Sequence, residues 1–387
     1  MKKNDVSSVR KEFKLDNTKL KLGEVVGIYV KGDIKQIIGF EKEYFDRMDT
    51  EKQDLYLKNF KKLLTGQLDS KLFELEFSDN KLGQNPTQKT LIDTLHATNF
   101  IEQAEQIALK VINHCDYPSD FMISFVRGEV YKPMKMAGRA DESGIDDEVF
   151  SFKFFMACVN PVTIPKAALR FDFEGKAFKA DIPMNVNINL TTPLDGFMFP
   201  SWNDNSADVN CVVYYSNKAN TPNLEFLAKV LECDLHSTAQ TEKARFLEIV
   251  QEVTGNEIAA EKIANIYESV NYILMRNEEE ESSEIASVGL MDMEKILQAS
   301  GVETTQSLEA AFLKITGTDK YEFKASNIVP NFTGKSIKIE NSTVSISISP
   351  QDLNNIKQVT KDGKRYLLIE IDETANLEGF ELSTEAI

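Results

Sequence analysis

Apolar and polar positions along the 387-residue chain change period several times. Residues 6–14 read as a short helix. The segment EVVGIYVKGDIKQIIGF (residues 24–40) holds two β-branched runs joined by Lys31-Gly32-Asp33, which predicts a hairpin. In DTEKQDLYLKNFKKLLTGQ the apolar residues Tyr56, Phe60, Leu63 and Leu64 recur at helical spacing. Thr50 and Gln53 have capping-box spacing, and Gly66 supplies a stop. KLFELEF alternates as a strand does, and residues 87–115 carry helical periodicity in two pieces broken near Thr98-Asn99.

The pattern then turns to β. FMISFVRGEVY, VFSFKFFMACV, ALRFDFEGKAFKADI, MNVNINL and DVNCVVYYS are short, β-rich and punctuated by Gly, Pro and Asn. They predict an antiparallel sheet, without the strand–helix alternation of a nucleotide-binding fold. A polar loop, KPMKMAGRADESGIDDE, lies between the first two. Residues 222–276 return to helical periodicity, and NEEEESSE follows as an apolar-free charge run. Two short helices, MEKILQAS and SLEAAFLKITG, precede strands around SIKIENSTVSISIS and KRYLLIEID, the last introduced by Asp362-Gly363. The expected fold class is α+β, with a central antiparallel sheet, flanking helices and a small C-terminal α/β domain. The expected divisions are 1–118 (mixed α/β), 119–220 (antiparallel β), 221–276 (helical), 277–286 (acidic linker) and 287–387 (C-terminal domain).

Charge narrows the function classes. The formal net charge is −17, which disfavours broad attraction to nucleic acid or an anionic membrane. Basic residues nevertheless gather locally, at Arg127, Lys132, Lys135 and Arg139, then at Lys166, Arg170, Lys176 and Lys179. Nothing in mid-chain approaches a membrane-spanning run, and the basic start is followed by no apolar stretch, so a cytoplasmic location is expected. Cys115, Cys158, Cys211 and Cys233 are widely spaced and read as buried thiols. His96, His114 and His236 are scattered, and the adjacent pair His114-Cys115 is a poor chelate.

Three stretches could carry chemistry. In SWNDNSADVN, residues Asp204, Ser206, Asp208 and Asn210 alternate like the first four ligand positions of a calcium loop. The Gly and bidentate Glu that such a loop needs are replaced by Val209 and Tyr215, so no metal is expected there. The stretch reads instead as a turn closed by Asx hydrogen bonds with Trp202 over the sheet edge. If it is a binding site, Trp202 is the aromatic anchor and Asp204, Asp208 and Asn210 are the polar contacts. In FDFEGKAF, Glu174 and Lys176 form an E-x-K pair. On a strand such a pair shares one face and, with an upstream acid at Asp146 or Asp147, suits a Mg²⁺-dependent nuclease. Against this, Glu174-Gly175 looks like a hairpin turn. The cluster Asp141, Glu142, Asp146, Asp147 and Glu148 abuts basic residues and reads as a self-neutralising charged loop. No phosphate-binding glycine loop, zinc-protease helix motif or nucleophile elbow occurs.

Several segments together resemble a bacterial family known as domain of unknown function 4317. They are GIYVKGD, FKKLLTGQ, FMACVNPV, GFMFPSWNDNSADVNCVVYYSNKA and KRYLLIEIDE, and their order and spacing fit nearly the whole chain. The FP-x-[FW]-N-D-x-S-x-D block is the most specific of them, with Trp202 at a position where the resemblance leads one to expect Phe. The resemblance implies a full-length architecture typical of soluble bacterial proteins and brings no activity with it, so no catalytic residue is carried over. The expected function is that of an intracellular binding or regulatory protein acting through protein–protein contacts, with a protein partner or a second copy of the chain and no cofactor. The alternatives are a Mg²⁺-dependent nuclease or hydrolase and a nucleic-acid-associated protein.

Overall fold

A computed structural model describes residues 1–78, 85–133, 149–165, 167–181, 185–203, 206–280, 284–303, 306–332, 334–377 and 380–383. The chain forms two compact units, Met1–Thr238 and Ala239–Ile387.

The first unit is built on one antiparallel sheet. Its strands are β1 (Leu20–Lys31), β2 (Gln36–Tyr44), β3 (Leu72–Glu76), β4 (Phe121–Pro133) and β5 (Val149–Thr163). After β5 come β6 (Ala168–Asp172), β7 (Ala177–Asp181), β8 (Asn187–Ile188) and β9 (Asp195–Phe199). Then follow β10 (Ser201–Asn203), β11 (Ser206–Asp208) and β12 (Cys211–Ser216). The main sheet runs β2-β1-β4-β5-β9-β12-β3, with β8 paired to β5 off this path, so strands from both sides of residue 118 share one sheet. Helices α1 (Lys3–Arg10) and α2 (Thr50–Lys62) cover one face. Helices α3 (Pro86–His96) and α4 (Phe100–His114), with a π-helical turn at Phe226–Leu231, cover the other.

This layering explains the apolar runs. Strand side chains alternate between faces, and both faces are buried at the centre of the sheet. In β5, Phe155, Ala157 and Val159 enter the α4 side, whereas Phe154, Met156 and Cys158 enter the α2 side. β12 divides likewise, with Val212 and Tyr214 on one side and Val213 and Tyr215 on the other. Continuous apolar strands are thus buried twice over, which is rarer in antiparallel than in parallel sheets.

Local signals act largely where the sequence puts them, with two shifts. The N-cap of α2 is Asp49, one residue before the expected Thr50, because its carboxylate accepts the Lys52 amide at 2.7 Å. Gln53 donates instead to the carbonyl oxygens of Phe45 and Met48, so no capping box forms with Thr50. Gly196 permits the close approach of α2 to the sheet: a Cβ there would lie 2.4 Å from Leu63 Cδ2 and 2.7 Å from the Ala157 carbonyl oxygen. Between α2 and the sheet, buried Asn59 donates to Ser124 Oγ (3.0 Å) and Asn160 Oδ1 (3.1 Å), and Asn160 donates back at 2.9 Å. The amides are paired, so their burial is compatible with stability.

The second unit begins with α5 (Ala239–Thr254) and α6 (Ala260–Glu279). The helical reading of 221–276 therefore spreads over two units, since the π-helical turn packs into the core of the first. Residues 277–279 of the acidic run continue α6, in keeping with the high helix propensity of Glu, and 281–283 lie outside the described residues. There follow β13 (Ser287–Val288), α7 (Leu290–Ala299), α8 (Leu308–Thr316), β14 (Phe323–Lys324) and α9 (Ala325–Ile328). Two hairpins come next, β15 (Ile337–Glu340) with β16 (Ser345–Ile348), and β17 (Ile356–Lys361) with β18 (Lys364–Ile369). Asp362 and Gly363, at φ 52° and 72°, make the second turn, as its Asp-Gly sequence demands. Phe246, Val270, Phe312 and Phe323 center the core of this unit.

Candidate functional site

The Asn/Asp loop folds as a small hairpin in which Ser201, Trp202 and Asn203 of β10 pair with Asp208, Ala207 and Ser206 of β11. Asp204 lies outside the described residues. Trp202 points inward. It is 1 % exposed, and its ring stacks on Phe152 at 5.9 Å in the α1/α2-side core. Its Nε1 has no hydrogen-bond acceptor among the described residues. Asp208 Oδ1 accepts the Asn210 amide at 2.9 Å, an Asx turn that leads the chain into β12. Asn210 Oδ1 accepts from Gln88 Nε2 at 3.3 Å, and the same amide of Gln88 donates to the Val209 carbonyl at 2.9 Å. Trp202, Asp208 and Asn210 thus share one loop, but Trp202 is core, the Asp208 carboxylate closes the turn and the Asn210 side chain is bonded to Gln88 of α3.

Glu174 and Lys176 lie in the turn Phe173–Lys176, not on a strand, so the period-two argument for a shared face does not apply to them. Asp172 accepts the Glu174 amide at 3.1 Å and is ion-paired with Lys179, and that ammonium group holds its carboxyl below the usual range. Asp146 and Asp147, the acids the nuclease reading requires, lie outside the described residues, as do Asp141, Glu142, Glu148, Lys135, Arg139 and Lys166. Of the central basic residues, Arg127 is committed internally. It pairs with Glu24 at 2.7 Å, donates to the Ala97 carbonyl and stacks over Phe100 at 4.5 Å. Among the described residues no three of His, Cys, Asp and Glu converge to hold a metal ion.

Buried titratable groups serve the core. All four cysteines are free and buried. Burial pushes the Cys115 and Cys211 thiols up to about 12, and those of Cys158 and Cys233 higher still, so none is a thiolate nucleophile at neutral pH. Asp195, 4 % exposed, has its carboxyl raised by burial. It accepts from Tyr117 Oη (2.8 Å), Asn223 Nδ2 (3.0 Å) and Tyr214 Oη, which ties the approach to the π-helical turn onto β9. A cavity of about 60 Å³ lies among Thr87, Gln106, Lys110, Phe197 and Val230. It has room for a few waters, and Lys110 beside it is already bonded to Thr87 Oγ1 (2.6 Å) and Glu232 (2.9 Å).

What remains is the excursion between β5 and β8. Val162 and Thr163 pair with Ile188 and Asn187, which closes its base, and β6 and β7 project from there as a separate two-stranded sheet. Register pairs Phe171 with Phe178 and Leu169 with Ala180. One face therefore carries Leu169, Phe171 and Phe178, continued by Phe173 at the turn. Their exposures are 75 %, 39 %, 75 % and 84 %. Phe171 meets Phe173 and Phe178 edge-on at 5.2 and 5.4 Å. The other face carries Arg170 and the Asp172–Lys179 ion pair. The arm holds about 500 Å² of contiguous apolar surface, at the upper end of what a monomer shows. Reading E-x-K for chemistry overlooks this face. The signal for it is the alternation of Leu169, Phe171 and Phe173 in the same stretch.

A family model described as a domain of unknown function (DUF4317) matches residues 1–380. The chain belongs to that family. No curated protein matches it. No helix among the described residues is long and apolar enough to cross a membrane.

Proposed function

We propose that this chain is an intracellular binding or regulatory protein that acts through protein–protein contacts, with the β6–β7 arm as its contact surface. One observation carries the reading: four large apolar side chains line one face of a hairpin that pairs with no third strand among the described residues. A lone two-stranded hairpin is marginally stable in water, and covering its apolar face supplies the missing burial. The contact requires no cofactor. Four unpaired, buried thiols support a reducing, cytoplasmic setting. A photo-crosslinking amino acid at Glu174, in the turn of the arm, tests the reading in the producing cells. The expected result is one or a few discrete adducts that disappear when Phe173 and Phe178 are both replaced by Ser. A chain that forms no adduct overturns it.

A further inference from the structure

We propose that the arm's partner is the same arm of a second copy, the two apolar faces packed against each other about a two-fold axis. This rests on the reading that the arm is a contact surface and adds what occupies it. Charge is the first argument. The chain carries −17, so two copies repel over most of their surfaces. Within 168–181, Arg170, Lys176 and Lys179 balance Asp172, Glu174 and Asp181, which leaves the arm formally neutral. It is a place where two copies meet without that repulsion.

The distribution of polar groups is the second argument. Arg170 and the Asp172–Lys179 pair sit on the face opposite Phe171 and Phe178. Face-to-face packing therefore leaves these charges in water and avoids the desolvation that a buried ion pair suffers. Self-packing is also isologous, the commonest arrangement in soluble oligomers: Phe171, flanked by Leu169, Phe173 and Phe178, meets the same cluster rotated. Each two-stranded arm gains a second layer. The area is the third argument. About 500 Å² from each copy gives about 1,000 Å² in all, the lower bound for a specific interface, so the dimer is expected to be reversible and in the micromolar range.

Sedimentation equilibrium of the full chain from about 1 to about 200 µM tests this, a range that spans micromolar dissociation constants. The wild type is expected to be a reversible dimer. Phe173→Ser/Phe178→Ser is expected to weaken it at least tenfold. Both side chains are exposed in the monomer, so the melting temperature is expected to be unchanged at a concentration where both proteins are monomeric and to rise with concentration only in the wild type. Raising salt from about 0.1 to about 1 M screens the repulsion between the two −17 copies and leaves the apolar contact, so the association is expected to hold or tighten, and not to weaken. A chain that stays monomeric throughout, or a dimer that the double variant leaves intact, overturns the second copy as occupant. The crosslink at Glu174 separates this from failure of the contact reading. An adduct with a different protein leaves the arm a contact surface and removes the second copy. A monomer that forms no adduct removes both.

Discussion

Replacing Trp202 by Phe is expected to change stability by less than about 1 kcal/mol, for a reason particular to its site. The indole is 1 % exposed and stacked on Phe152, and its Nε1 finds no acceptor among the described residues. Phenyl for indole opens about 40 Å³, which costs about 1 kcal/mol as cavity. The lost apolar contact costs about 1 kcal/mol more. Against this, deleting a buried, unpaired donor recovers about 1–3 kcal/mol of desolvation, so the two effects nearly cancel. Trp202→Ala keeps the relief but empties the site, and about 3–5 kcal/mol is lost. Urea denaturation followed by far-UV circular dichroism measures both variants on one scale, and the emission of this only tryptophan is blue-shifted in the native wild type. A loss of 3 kcal/mol or more in Trp202→Phe would refute the unpaired donor. A harmless Trp202→Ala, or water-like native emission, would refute the burial.

Other outcomes follow from the same packing. Gly196→Ala drives a methyl against Leu63 and the Ala157 carbonyl and should cost about 1–3 kcal/mol; an unchanged urea midpoint would show that α2 shifts freely. The carboxyl of Asp195 is raised above its ordinary 3.8 by burial, so its proton-linked contribution is complete below that value and lost as pH rises through the folded one. The stability of the wild type relative to Asp195→Asn should therefore increase as pH falls from 7 towards 4, and a pH-independent difference would contradict it. The four buried thiols should resist a disulfide reagent in the native state and react together in urea; rapid native labelling of Cys115 or Cys158 would show that the sheet faces open.

The elements were legible where a local rule sufficed. The stripe of Tyr56 and Phe60 on α2, continued by Leu63 at its C-cap, is buried, so periodicity finds it, and the break between α3 and α4 falls at Thr98-Asn99 because polar residues interrupt the stripe there. Strand order was not legible. β3 lies at the far edge from β1 and β2, although only 27 residues separate the end of β2 from the start of β3, because its place is set by packing against β12. Trp202 misled through its neighbours: a loop of Asn, Asp and Ser looks solvated, yet strand alternation turns the ring inward while the polar residues close the turn. The arm misled in the opposite sense. Leu169, Phe171 and Phe173 alternate like a strand with one buried face, and nothing in the pattern tells that among the described residues no layer covers them.

A partner that covers the arm when the protein acts would slow the exchange of its amides. Hydrogen exchange of the amides of 168–181, measured at about 2 and about 200 µM, tests it most directly. An uncovered two-stranded hairpin exchanges nearly as a free chain does. Protection that grows at least tenfold with concentration, and fails to grow in Phe173→Ser/Phe178→Ser, is the predicted result. Exchange that is the same at both concentrations, and unchanged when lysate of the producing cells is added, would contradict it.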